Sequence, residues 1–124
     1  MNKIKISENF NLSEFECPCC HKVMLSEDLF AKVDKLRKLL KKSIFITSGY
    51  RCNEYNKKVG GVEGSYHKLG LAVDIEITDF LWVVLYPIVK TIGFTGIGVY
   101  LKEGYCHLDI RPGKLIEWNG GDKI

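Results

Sequence analysis

Three side chains in two short segments can together hold a metal ion. His67 and Asp74 lie in Ser65-Tyr66-His67-Lys68-Leu69-Gly70-Leu71-Ala72-Val73-Asp74, and His107 lies in Gly104-Tyr105-Cys106-His107-Leu108-Asp109-Ile110-Arg111. The chain has 3 histidines in 124 residues, and two of them fall here. Two imidazoles and a carboxylate give zinc three N and O donors and leave a fourth position for water. That is the open arrangement of a catalytic site, whereas closed structural sites are cysteine-rich. Taken singly, each residue has an ordinary reading. His67 reads as a loop histidine, His107 as a half-buried one among apolar neighbours, and Asp74 as a partner for a lysine.

The elements around these residues decide whether they can meet. Leu71 to Ile77 alternates, with Leu71, Val73, Ile75 and Ile77 on one face and Ala72, Asp74 and Glu76 on the other. Residues 104–111 alternate in the same way. Tyr105, His107 and Asp109 share a polar face, while Cys106, Leu108 and Ile110 share a core face. Two strands with this pattern present Asp74 and His107 on one side of an antiparallel sheet, and a loop rich in Gly60, Gly61 and Gly64 delivers His67. Residues 94–100 read as the hairpin partner of 104–111, around a turn at Leu101-Lys102-Glu103. Ile44 to Thr47 reads as a further strand, and Leu115 to Trp118 as a last short one.

Helices fill the remainder. A short helical start is expected near Leu12 to Phe15. Ser26 is placed to cap a helix running to about Lys42, with Leu29, Phe30, Val33, Leu36, Leu39 and Leu40 at helical spacing and a lysine-rich end that suits the helix dipole. A short helix is expected over Cys52 to Lys58. Thr78 is placed to cap another through about Thr91, with Pro87 as a candidate kink. No repeat, low-complexity tract or linker divides the chain, so a single domain over residues 1–124 is expected.

Together the motifs resemble the zinc D-Ala-D-Ala carboxypeptidase family, part of a wider group with lysostaphin-type endopeptidases and the hedgehog signalling domain. Ser65, His67, Gly70, Ala72 and Asp74 complete its S-x-H-x-x-G-x-A-x-D pattern. His107-Leu108-Asp109 matches its downstream H-x-D, and Thr47-Ser48-Gly49-Tyr50-Arg51 with Asn56 resembles its upstream segment. The likeness covers about residues 8 to 119. It implies an α+β fold, a small antiparallel sheet with flanking helices, and one catalytic Zn2+ on His67, Asp74 and His107. It also implies that Arg51 binds a substrate carboxylate or the oxyanion, which a guanidinium can do in bidentate fashion. Ser65 and Tyr50 join Arg51 as substrate-binding candidates. Tyr66 and Tyr105 are candidate cleft walls.

The general base departs from the family pattern. Relatives carry a Glu three residues before the second His or a His two before it, but here those positions are Gly104 and Tyr105. Asp109 and Glu103 are the remaining carboxylates, and Asp109 is preferred. Its alternative role is to hold a ligand histidine in its tautomer.

Composition sets the outer bounds. Hydrophobic content of 46% and charged content of 27% are those of an ordinary globule, and a net charge of +3 is no nucleic-acid footprint. The longest apolar run, Phe80 to Val89, is interrupted by Pro87 and is too short to span a membrane. The N-terminus lacks a secretory apolar stretch. The chain is therefore expected to be cytoplasmic as synthesised, monomeric, and active on the cell wall after release. Five cysteines leave at least one unpaired. Cys17, Cys19, Cys20 and His21 lie close together, with Cys17 and Cys20 at knuckle spacing. Only Cys52 and Cys106 could complete a metal site there, and packed or surface thiols are the expected state.

The resulting expectation is a zinc peptidase acting on peptidoglycan stem peptides, at the terminal D-Ala-D-Ala bond or at an internal bond as in phage endolysins. The alternatives are a non-catalytic zinc-stabilised binding module and a structural component of a phage tail.

Overall fold

The computed structural model describes residues 2–120. Five strands form one sheet in the order β1-β2-β4-β3-β5. They are β1 Ile46–Ser48, β2 Ala72–Glu76, β3 Gly96–Tyr100, β4 Tyr105–Asp109 and β5 Ile116–Asn119. Neighbours pair antiparallel except β5, which runs parallel to β3. Helices α1 (Glu27–Leu40), α2 (Asn53–Lys58) and α3 (Asp79–Ile92) and two 3-10 turns, Leu12–Phe15 and Tyr66–Leu69, complete the architecture. The fold is α+β, as the sequence implies.

One face of the sheet makes the core. Val73, Ile75, Ile97, Cys106 and Leu108 point into it, against Leu29, Val33, Leu36 and Leu40 of α1 and Leu85 and Val89 of α3. These helical positions recur at steps of three and four, so each helix lays one stripe on the sheet. Ser26 caps α1 by accepting from the Leu29 N–H at 3.3 Å, and Thr78 caps α3 by accepting from the Leu81 N–H at 3.1 Å. Helix α3 runs through Pro87 without a break. No helix among the described residues is long and apolar enough to cross a membrane.

Several local expectations shift. Leu39 is 50% exposed and lies outside the α1 stripe. The first strand starts two residues later than its apolar run, and Ile44 is buried ahead of it. Ile110 is only half-buried, beyond the end of β4. His67 sits inside a 3-10 turn that Ser65 caps, not at the end of an open loop.

The amino-terminal segment is clamped to the turn after β1. The Tyr50 N–H donates to the Phe15 carbonyl at 2.9 Å. A Cβ at Gly49 would lie 2.7 Å from both Cα and O of Phe15. Only glycine permits that approach, because a backbone neighbour cannot rotate away. Gly49→Ala is therefore expected to lower the unfolding free energy by about 1–3 kcal/mol, read from the denaturant midpoint. An unchanged midpoint would show that the two segments are not pressed together.

Candidate metal centre

Strand register brings the chemistry to the sheet face opposite the helices. Asp74 stands directly across from His107, and Ala72 directly across from Asp109. On the other side of β4, Gly98 faces His107 and Gly96 faces Asp109. The 3-10 turn carrying His67 then closes on β2. Ligand atoms of His67, Asp74 and His107 lie within 4.8 Å of one another, the two histidine rings meeting edge to face with centroids 5.1 Å apart.

The hydrogen-bond partners fix which nitrogen of each ring faces the centre. His67 Nδ1 lies 2.8 Å from the Gly49 carbonyl, which can only accept, so this nitrogen carries the proton. His107 Nε2 lies 2.7 Å from Asp109 Oδ2, closer than Nδ1 lies to Asp74 Oδ1 at 3.2 Å, so in the neutral ring Nε2 carries the proton. A neutral imidazole has one N–H. The remaining nitrogens, Nε2 of His67 and Nδ1 of His107, therefore present lone pairs. Both point at the same atom, Asp74 Oδ1, at 3.1 and 3.2 Å.

Two nitrogen lone pairs and a carboxylate oxygen facing one point repel unless a cation or added protons lie between them. The spacing suits a metal. Ligands about 2.0 Å from a tetrahedral zinc stand about 3.3 Å apart, close to the 3.1 and 3.2 Å observed. The second Asp74 oxygen is held out of the centre by Arg51, whose Nη2 donates to Oδ2 at 3.1 Å. Asp74 is thus arranged to offer a single oxygen.

Electrostatics follow this geometry. Burial would raise the Asp74 carboxyl, but the adjacent His107 and His67, when protons occupy the gap between them and Oδ1, outweigh it and hold the group well below the usual carboxylate range. Burial likewise opposes charge on Asp109, and hydrogen bonds from His107 and Arg111 hold it low. For His107, burial disfavours the cation, while Asp109 and Asp74 raise its pKa above the ordinary value.

The candidate bases of the sequence do not reach the cleft. Asp109 is 0% exposed and sits behind the His107 ring. The backbone N–H and Nε of Arg111 donate to its Oδ1 at 3.0 and 2.9 Å, and Arg111 Nη2 donates to Oδ2 at 2.6 Å. Gly96 makes room for this carboxylate, since a Cβ there would fall 2.1 Å from Asp109 Oδ1. Glu103 lies on the exposed β3–β4 turn, outside the cleft lining.

A cleft of about 630 Å³ opens above the centre. His67, Asp74, His107, Arg51 and Ser65 line it, together with Tyr66, Tyr105, Arg111 and Trp118. Ser65 spends its Oγ on the His67 N–H at 3.2 Å. Tyr50 is absent from the lining. Arg111 was legible only as the end of a motif, although the period-two face through His107 and Asp109 continues to it. It lies between the Tyr66 and Trp118 rings, 4.8 and 5.0 Å from their centroids. Trp118 carried no signal, because it reaches the cleft from the edge strand β5 across Gly98. A Cβ at Gly98 would meet its ring at 2.4 Å.

A second convergence brings together the sulfurs of Cys17, Cys19, Cys20 and Cys52. The sequence placed Cys17, Cys19 and Cys20 close together and named Cys52 and Cys106 as the residues that could complete a site; the structure brings in Cys52. His21 is not among them and pairs with Glu16 at 2.7 Å. Cys106 faces the core from β4.

Asp109 and Gly96 give the test of this geometry. Asp109→Asn removes the acceptor behind His107, and Gly96→Ala pushes the carboxylate away. Each is expected to weaken metal affinity at the histidine centre about ten- to a hundred-fold, measured by chelator competition. Native affinity in both variants would show that the His107 ring needs no such support.

No curated protein matches the chain. The family model described as Peptidase M15 matches residues 8–109, which takes in His67, Asp74, His107, Arg51 and Asp109 and ends before Arg111 and Trp118. Most of the chain lies within that match, so the chain belongs to the M15 family of zinc D-Ala-D-Ala carboxypeptidase-type metallopeptidases.

Proposed function

We propose that the protein is a zinc peptidase that hydrolyses bonds in peptidoglycan stem peptides, at a position next to a free carboxylate. The observation that carries this reading is the pair of lone pairs aimed at Asp74 Oδ1 on the floor of an open cleft. A zinc ion bound there would supply Lewis acidity toward the scissile carbonyl and an activated water. His67, Asp74 and His107 would hold it. The Gly49 carbonyl and Asp109 orient the two imidazoles, and the low-lying Asp74 carboxyl stays charged toward the ion.

The substrate class follows from the family and is supported by the cleft. Its volume suits a short peptide. Two guanidinium groups, Arg51 and Arg111, line it. Arg51 donates from Nε to Ser48 Oγ at 3.1 Å, from Nη1 to Asn56 Oδ1 at 3.2 Å and from Nη2 to Asp74 Oδ2 at 3.1 Å. A guanidinium has five N–H donors, so two remain for a substrate carboxylate or oxyanion. Such a pair of cations favours the terminal D-Ala-D-Ala bond over an internal one.

Asp109 is assigned here to orienting His107, in place of the role of base. Both of its oxygens are engaged on the side of the ring away from Asp74. Among the described residues, Asp74 is the one carboxylate that lines the cleft. That observation favours a second reading, a zinc-stabilised binding module without turnover.

Incubation with purified peptidoglycan and with a stem pentapeptide ending in D-Ala-D-Ala, followed by mass analysis, separates the two. Release of terminal D-Ala is expected, abolished by chelator and by His67→Ala. Binding of the pentapeptide without any cleavage would establish the module instead.

Arg51 gives a further test. Arg51→Lys keeps the charge but cannot reach Ser48, Asn56 and Asp74 together. It is expected to lower kcat/KM at saturating zinc about ten-fold or more, a loss of about 1.4 kcal/mol in transition-state binding. Unchanged kcat/KM would remove Arg51 from substrate recognition.

A further inference from the structure

We propose that Cys17, Cys19, Cys20 and Cys52 form a separate structural centre that takes one zinc ion through four thiolates. Their sulfurs lie within 4.8 Å of one another. Cys52 Sγ is 3.3 Å from Cys19 Sγ and 3.6 Å from Cys17 Sγ. A regular tetrahedron of sulfurs with zinc bonds of about 2.3 Å has edges of about 3.8 Å, so both Cys52 spacings fall a little inside the required edge and no pair of the four sulfurs exceeds it by more than about one ångström. All these cysteines are free thiols. A set of four sulfur donors with no oxygen selects a thiophilic ion over magnesium or calcium.

The backbone is shaped for the convergence from both sides. Residues 17–22 form a tight turn in which the His21 N–H donates to the Cys17 carbonyl and the Cys17 N–H to the Lys22 carbonyl, both at 2.8 Å. His21 takes a left-handed conformation, φ 62°, one that a non-glycine residue adopts at some cost. That turn places three thiols together. The fourth arrives from 35 residues beyond Cys17, delivered by the Tyr50–Phe15 hydrogen bond and the close approach of Gly49 to Phe15. Cys52 then opens α2, its Sγ accepting from the Tyr55 N–H at 3.4 Å.

Packing alone does not account for the cluster. Free cysteines gather in protein interiors because they behave as small apolar groups. Here Cys17 is buried, but Cys19 is exposed and Cys20 and Cys52 are half-exposed. An exposed thiol gains little from apolar burial, whereas a metal gives all four a reason to meet where an ion can enter. The fifth cysteine shows the contrast, since Cys106 is fully buried in the core and takes no part.

The centre joins the amino-terminal segment to the residue next to Arg51. It would hold in place the peptide from which Arg51 reaches Asp74, without touching the cleft.

The experiment uses the full chain carrying His67→Ala and His107→Ala, purified under reducing conditions, so that the histidine centre is empty. Elemental analysis is expected to find one zinc per chain in this variant and two in the wild type. Loading with Co2+ is expected to give the intense sulfur-to-cobalt charge-transfer bands of thiolate ligation. Adding Cys19→Ser, a change at an exposed position, is expected to remove most of that zinc and those bands. In the wild type, a thiol reagent is expected to reach Cys19, Cys20 and Cys52 only after chelator is added. A histidine-free variant that binds no zinc, shows no charge-transfer bands and reacts at Cys19 without chelator would overturn the proposal, as would iron in place of zinc. Absence of peptide hydrolysis, or of zinc at the histidine centre, leaves the variant's one zinc, its charge-transfer bands and the Cys19 reactivity unchanged.

Discussion

The structure is organised around a repulsion. With both rings neutral, each imidazole gives its single N–H to an acceptor behind it, and each is left with a lone pair aimed at one carboxylate oxygen. Neither ring can turn its proton inward without abandoning Gly49 or Asp109. A protein interior strengthens such unfavourable contacts, because the low local dielectric screens them poorly. The arrangement persists only if the surrounding fold holds it, and a divalent cation at the point of convergence turns each repulsion into a coordinate bond.

What holds it is an unusual distribution of small residues across the sheet. Asp109 is flanked in register by Ala72 and Gly96, and His107 by Asp74 and Gly98. Ordinary strand residues at 96 and 98 would occupy the space taken by the Asp109 carboxylate and the Trp118 ring. Glycine usually weakens a strand interior. Here the loss is accepted on β3 so that β4 can carry a buried carboxylate behind His107. The other sheet face shows no such compromise, being filled by Val73, Ile75, Ile97 and Leu108 against the two long helices.

Much of this was legible in the sequence, for identifiable reasons. Period two along residues 71–77 and 104–111 assigned Asp74, His107 and Asp109 to one face, because strand geometry leaves no other choice. Ser26 and Thr78 marked helix starts through side-chain capping. The same periodicity could not say that Asp109 lies behind His107 and not beside Asp74 at the point of convergence. Both readings share a face, and the difference is one of depth, set by Gly96 on a neighbouring strand. Nor could it find Trp118, whose role depends on β5 pairing parallel with β3 after a turn, a long-range choice without a local signature. The convergence of Cys52 on Cys17, Cys19 and Cys20 was hidden for the same reason. It is produced by the backbone contact of Gly49 with Phe15, and glycine announces the freedom to make such a contact but not its partner.

Arg51 shows how the parts become one device. Its backbone N–H donates to the carbonyl of His67 at 3.2 Å, while its side chain holds Ser48, Asn56 and Asp74. One residue therefore tethers two of the three convergent side chains, from a position between the carbonyl of Gly49, which orients His67, and Cys52, which joins the sulfur cluster. A guanidinium so engaged has lost most of its rotamer freedom in advance, and little remains to be lost when a substrate arrives. The segment 49–52 must then be rigid for the site to work, because a shift there would move a ring acceptor and a carboxylate partner together. Segments of that kind are stabilised from outside the active cleft, since the cleft itself must stay open to water and substrate. The amino-terminal segment packed on Gly49 and Tyr50 is placed to do this, and the family match takes that segment in, beginning at residue 8.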